Sequence, residues 1–422
     1  MKRARYIVMA AVALWAVLGL AAGAAEPVVL NVYMGWDSSH QVNQVINAYI
    51  AEYEALHPHV KINNLGRQES ADVLLTHIIG GVAPDIVKGG MTMLLTLHMA
   101  EALTPVPEHI AQRIKAEFFP VAADAVTIDG RLIAVPMEGN STALMVNQRI
   151  LSEKGIGRIP DTWNEFAQLA RRLTVYDSQG KIVTPALVEA GQEWSLCYFV
   201  LGMFKAEGAG LLDDQGNLTL NTPEARAAVQ NLTTALTGNP YMQLGWGPQG
   251  RFKNGEIPFG LAFPWWLNGV NDISDFRTTL IPAGSQGYGS AFYNHGYAVT
   301  KDSKHQEEAW RFLEWLAFNK RGNEGTPLGH MAAKVGVLPI TRWDASSVHF
   351  ASILSAYGGF MDSLNHGVHP STILSWGLNN WTVIARLVTD VANRGIAPDT
   401  AFENVTTILK TRLEEIRALR NK

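Results

Sequence analysis

Short apolar runs and longer amphipathic stretches take turns along this chain. Val28 to Met34 is β-branched and apolar enough for a buried strand, and the loop Gly35-Trp36-Asp37-Ser38-Ser39 follows it. From Val42 to Leu56 the apolar positions Val42, Val45, Ile46, Tyr49, Ile50 and Tyr53 recur every three or four residues. That is the spacing of a helix face, and Pro58 stops it. Val60 to Asn63 predicts a second strand, Ala71 to Ile79 a second helix, and Gly80 to Pro84 a turn into a short strand at Asp85-Ile86-Val87. The order β-α-β-α-β predicts an α/β domain with a mainly parallel sheet. Ile128 to Leu132 predicts a hairpin, which continues through Pro136 toward Asn147.

The second half keeps alternating. Asp161 or Thr162 caps a helix through Phe166, Leu169, Ala170 and Leu173, and Thr222-Pro223 opens another that runs to Leu236. Trp194 to Lys205 is apolar throughout, Ile257 to Phe263 is a strand ending at Pro264-Trp265-Trp266, and Glu307 to Phe318, Trp381 to Ala392 and Thr400 to Arg420 are helices. With no repeat and no low-complexity linker, this pattern predicts two similar α/β lobes.

The first residues break the pattern. Lys2, Arg3 and Arg5 precede the apolar run Ile7 to Ala22, and Ala22-Gly23-Ala24 has the small-residue form of an export cleavage site. We expect residues 1–25 to be a signal peptide removed after Ala24 or Ala25, because about 16 apolar residues fall short of the roughly 20 a spanning helix needs. The mature chain then carries 31 basic and 38 acidic residues, a net charge of -7. No basic block stands out, so nucleic acid is not an expected partner. The single Cys197 excludes disulfide scaffolds, multi-Cys metal sites and a lipid anchor at the cleavage point. It lies in an apolar run, as a buried inert thiol would.

The motifs of serine hydrolases, P-loop enzymes and dinucleotide binders are all missing. His57-Pro58-His59 and His366-Gly367-Val368-His369 lack a nearby third ligand, so no metal or cofactor is expected. Of the 12 tryptophans, Trp163, Trp310 and Trp315 sit at scaffold positions. Trp36, Trp194, Trp265, Trp266, Trp376 and Trp381 lie instead in loops or at element ends, beside acids and amides such as Asp37, Glu193 and Asn379-Asn380. Sugar rings have an apolar face and a hydroxyl rim, so a sugar site needs aromatic planes together with short polar side chains. This composition fits one.

Ordered motifs then identify a relationship. Gly81-Val82-Ala83-Pro84-Asp85-Ile86, Pro160-Asp161-Thr162-Trp163-Asn164-Glu165-Phe166, Phe252-Lys253-Asn254-Gly255-Glu256 leading to Pro264-Trp265, and Gly296-Tyr297-Ala298-Val299-Thr300-Lys301 before Glu308-Ala309-Trp310 span the mature chain. The chain resembles the extracellular solute-binding proteins of ABC sugar importers, the maltose-binding-like group. The resemblance implies an α/β, two-lobed periplasmic-binding-protein fold. Each lobe would be a mixed, mainly parallel sheet flanked by helices, with a ligand cleft between them that closes by a hinge. It implies an N-terminal lobe of 26–136 plus about 291–340, and a C-terminal lobe of about 137–290 plus 341–422. Crossings are expected near Pro136 to Asn140, Gly284 to Phe292 and Leu338 to Trp343. The resemblance also implies a sugar contact at Asp37 in the first loop, at Arg67 and Gln68 after the second strand, and at Glu138, Asn140 and Ser141 in the first crossing. Glu193-Trp194 falls in a segment similar to one of the family's, and Trp265 and Trp381 at its stacking positions; Trp266 is an added neighbour of Trp265, while Trp36 and Trp376 are candidates from their loop positions. Gly89-Gly90-Met91 replaces the aromatic that maltose binders carry, which puts maltose itself in doubt. Implied partners are a sugar and inner-membrane ABC permease subunits, the place is the periplasm, and the state is a monomer. A secreted carbohydrate-active enzyme, with Asp37, Glu138 or Glu193 as its carboxylates, and a polyamine or metal binder stay open.

Overall fold

A computed structural model describes residues 27–420, apart from 38, 68–69, 190–192, 214, 237–246, 269, 271, 352 and 369–380. The signal peptide, Gln68 and Trp376 therefore lie outside the described residues. The elements that position the site are, in chain order, β1 (Val28–Tyr33), α1 (Val42–Leu56), β2 (Val60–Asn64), β3 (Ile86–Gly90), α2 (Met91–Met99), β4 (Val135–Ser141), β5 (Ala143–Asn147), α3 (Trp163–Leu173), β6 (Leu187–Glu189), α4 (Glu193–Glu207), β7 (Phe259–Ala262), β8 (Phe276–Thr279), β9 (Ser290–Val299), α5 (Pro327–Val335) and α6 (Trp381–Arg394).

Two hydrophobic cores organise them. In the first, β1 runs parallel to β2 and β3, and β9 runs antiparallel to β3 and β4. Leu30, Val32, Ile86 and Val87 fill its centre. The aspartate of the Pro84-Asp85-Ile86 motif holds this sheet together: its carboxylate accepts the Asn31 N–H at 2.8 Å and the Ser303 hydroxyl, and its carbonyl accepts from Thr300 N–H. The second core surrounds the order β6-β7-β5-β8, where β6 and β7 are parallel and the other two pairings antiparallel. Both sheets are mixed; a short parallel pairing of β9 with Gly367-Val368 gives the first a parallel majority, while the second is mainly antiparallel. α3 starts as its sequence demands, with Thr162 accepting the Glu165 N–H, and buries Trp163, Phe166 and Leu169. α4 is apolar on all sides because Leu196 to Phe204 are enclosed in the second core.

The chain passes between cores at three places that lie side by side. Met137 packs in the first core and Ala143 in the second; Ala291 in the second and Phe292 in the first; Leu338 in the second and Ile340 in the first. β4 pairs with β9 from Phe292↔Ser141 to Tyr297↔Val135, and Gly139 and Leu338 exchange two backbone hydrogen bonds of 3.1 and 2.7 Å.

Just before the third passage, α5 carries His330, whose ring stacks on His349 at 3.7 Å while its Nδ1 is hydrogen-bonded to the Tyr49 hydroxyl at 2.8 Å. Burial, with His349, Lys334 and Arg321 nearby, lowers the His330 pKa to about 4. Because the folded value lies below the ordinary one, the stability tied to neutral His330 is complete above pH 6.5 and is lost as pH falls toward 4. After discounting for the half-exposed ring, that loss is about 1–2 kcal/mol. Urea titrations at pH 7 and 4.5 should show it in the wild type and a smaller drop in His330→Gln; equal drops in both proteins would refute the assignment.

Candidate functional site

The passage strands carry a polar wall. A bulge in the β4–β9 pairing sets Glu138 opposite His295 and Pro136 opposite Gly296, so Met137 is the extra residue and turns into the first core. Glu138 is 3% exposed, contacts His295 Nδ1, and has the Asn140 amide beside it. Lys88, the third residue of β3, is also buried and holds its Nζ 4.0 Å from the Trp36 ring centroid. Burial alone would raise the Glu138 pKa, but Lys88 and His295 outweigh it and hold the carboxyl at about 2. Glu138 is thus a fixed anion. Its Oε2 and the Asn140 Oδ1 are buried without a hydrogen-bond partner among the described residues. Such atoms cost about 1–3 kcal/mol each unless something else reaches them.

Aromatic rings stand next to this wall. Tyr293, opposite Asn140 on β9, accepts the Trp265 Nε1–H on its hydroxyl at 3.3 Å. Its ring lies 4.9 Å from Tyr198 and 5.5 Å from Phe263, and 6.2 Å from His295. Tyr198 stacks in turn on Trp381 at 5.8 Å, and Trp265 lies parallel to Phe263 at 6.0 Å. Trp381 is only partly buried and packs against both cores. Burial raises the pKa of the Tyr293 hydroxyl, which therefore stays protonated at neutral pH.

Among the residues expected from sequence, Glu138, Asn140, Trp265 and Trp381 come together here, with Trp36 joined through Lys88. Asp37, on the loop after β1, and Arg67, after β2, form an exposed pair at 3.9 Å. Two expectations are corrected. Trp266 is fully buried in the second core against Phe252, so it is not open to a ligand. Ser141 donates to the Phe360 carbonyl at 3.0 Å and accepts from Ser363 Oγ at 2.7 Å, so its hydroxyl fastens two segments to each other. Glu193 and Trp194 open α4, but their side chains lie outside the described residues, as do Gln68 and Trp376. Sequence reasoning missed Lys88, Tyr198, Tyr293 and His295. The signal for two of them is the period of two in Tyr293, His295 and Tyr297, which sets Tyr293 and His295 on one face of β9.

Comparison with known proteins bears on this arrangement. The sequence model of the bacterial extracellular solute-binding protein family matches residues 37–321. A maltotriose-binding protein of Pyrococcus abyssi is 23% identical over 313 residues, which cover 70% of this chain and 63% of that relative. Among solved structures, the sugar-binding protein MalE of Xanthomonas citri superposes with a TM-score of 0.73 at 21% identity, over 93% of this chain and 98% of that one. A cyclo/maltodextrin-binding protein complexed with maltotetraose superposes with a TM-score of 0.73 at 20% identity, over 92% and 98%. Those structures share the two-lobed fold.

Proposed function

The chain belongs to the bacterial extracellular solute-binding protein family, and from that premise we propose that it binds a saccharide between its lobes and delivers it to an inner-membrane ABC permease. The observation that carries the saccharide reading is the pairing of a fixed anion, Glu138, and an amide, Asn140, with partnerless buried oxygens, beside partly open Trp265 and Trp381. Oxygens of that kind accept ring hydroxyls, and indole planes cover the C–H face. The relatives' maltotriose, sugar and maltodextrin names support the class without naming this ligand.

In this reading 26–136 with about 291–340 move as one lobe and about 137–290 with 341–422 as the other, about the three adjacent passages. A ligand touching both lobes favours the closed form by its difference in affinity for the two states. The mature protein acts as a periplasmic monomer. Glu138 does not suit the acid role of a glycosidase, which needs a carboxyl raised toward about 6, because this one is held at about 2.

Thermal-shift screening of the mature protein against sugars, glycosides, polyols, polyamines and metals tests the proposal. A saccharide at a hundredfold excess over Kd should stabilise by about 2.7 kcal/mol and be recovered intact. Stabilisation by polyamines or metals alone, or recovery of cleaved sugar, would overturn it. Trp265→Ala should weaken that saccharide ten- to hundredfold in calorimetry, about 1.4–2.8 kcal/mol, with a smaller loss of folding stability than Trp266→Ala.

A further inference from the structure

Beside the polar wall a recess of about 560 Å³ opens into the first lobe, lined in part by Lys88 and His295 from that wall and by Asp72, Gly90, Thr92 and Thr96. Its glycines differ in why they are glycines. Gly35 has φ 97°, and a Cβ there would meet the Lys88 side chain at 2.0 Å; at Gly89 a Cβ would meet Met93 at 2.2 Å. The backbone requires the first, and the second is packed against Met93. Gly90 is different: with φ -68° and ψ 160° it occupies ground open to any residue. A Cβ there would find only the His295 ring at 3.5–3.6 Å, ordinary van der Waals distance. Neither backbone nor packing keeps Gly90 bare, and what a larger side chain would occupy is the recess.

We infer that Gly90 sets ligand length, and that the recess holds an additional glycosyl unit of the ligand bound at the polar wall. This deepens the saccharide reading and rests on it. The recess lining holds no Trp, Tyr or Phe, whereas hydroxyls of Thr92 and Thr96, the Asp72 carboxylate and the His295 imidazole supply donors and acceptors. A unit held there is recognised by its hydroxyls rather than by stacking, and it is joined to rings lying over the Trp265 side. The preferred ligand is therefore an oligosaccharide, linear or branched, and its shorter fragments bind less tightly.

The test is calorimetry of the full mature protein with gluco-, manno-, xylo- and arabino-oligosaccharides of one to four units. In the series that binds, one added unit should raise wild-type affinity at least tenfold. Gly90→Leu should abolish that gain while leaving the next shorter member within about twofold. Thr96→Phe, which fills the recess from an exposed position on α2, should do the same and guards against a folding defect at Gly90. A wild type whose affinity is flat with length, or variants that keep the gain, would overturn the recess assignment and leave the saccharide reading standing. If no saccharide of any length binds, that reading fails and the recess assignment fails with it.

Discussion

Trp266→Ala should lose about 3–5 kcal/mol of folding stability, the range for emptying a buried indole site, while the folded fraction keeps its ligand affinity within about twofold. Trp265→Ala should show the reverse. The two residues are adjacent, yet the tight turn Pro264–Leu267 sends their side chains in different directions. Trp266 has no exposed surface, lies 5.9 Å from Phe252, and leaves only 3.2 Å between its ring and a Cβ built on Gly260. A side chain at Gly260 would crowd this indole where it packs on β7. The cavity left by alanine is bordered by strand backbone and Phe252, which limits collapse. Urea denaturation measures the first effect and calorimetry the second. A Trp266→Ala protein less than about 1 kcal/mol weaker would place that ring outside the core.

The pair also shows what was legible in sequence. A loop tryptophan beside a proline is a fair candidate for stacking, but a run of two gives no period from which to tell inward from outward. Where a period exists, reading succeeds. The face Val42, Ile46, Tyr49, Ile50 and Tyr53 forms α1 over Val42–Leu56 as expected, and Ala71–Ile79 and Pro223–Leu236 are helices with the expected bounds. The apolar run after Trp194 has no period because every side of α4 is enclosed, and it reads equally as strand or helix. The polar wall failed for another reason. Lys88, Glu138 and His295 come from strands 50 and 157 residues apart in sequence, and only the β3–β9–β4 register, with its bulge at Met137, brings them together. Glu138 is legible because the resemblance marks the first passage. His295 lies past the expected end of the second passage, and nothing local marks Lys88 in the strand before Gly89-Gly90. Local pattern cannot reveal a register.

Glu138→Gln should reach furthest of the single changes at the site, because it tests folding and binding through one carboxylate. Glutamine keeps the shape and removes the charge, so Lys88 loses this counter-charge while remaining 6% exposed. Because Glu138 contacts His295 and is only coulombically coupled to Lys88, the loss should be about 1–3 kcal/mol. Replacing Lys88 as well should restore much of the loss, and a Lys88→Met/Glu138→Gln cycle should yield a coupling above about 1 kcal/mol. The pH dependence carries its own sign. With a folded pKa of about 2, below the ordinary glutamate value, the stability supplied by ionised Glu138 is complete above about pH 4.3 and is lost as pH falls toward 2. The gap between wild type and Glu138→Gln should therefore narrow over that window. For the ligand, a charged acceptor bond is worth about 1.5–3 kcal/mol, so affinity should fall ten- to hundredfold or more. The same substitution with affinity intact would mean that Oε2 meets no hydroxyl and that Glu138 serves only to hold Lys88 and His295. The single mutant's stability and its affinity thus separate a carboxylate that builds the wall from one that also reads the sugar.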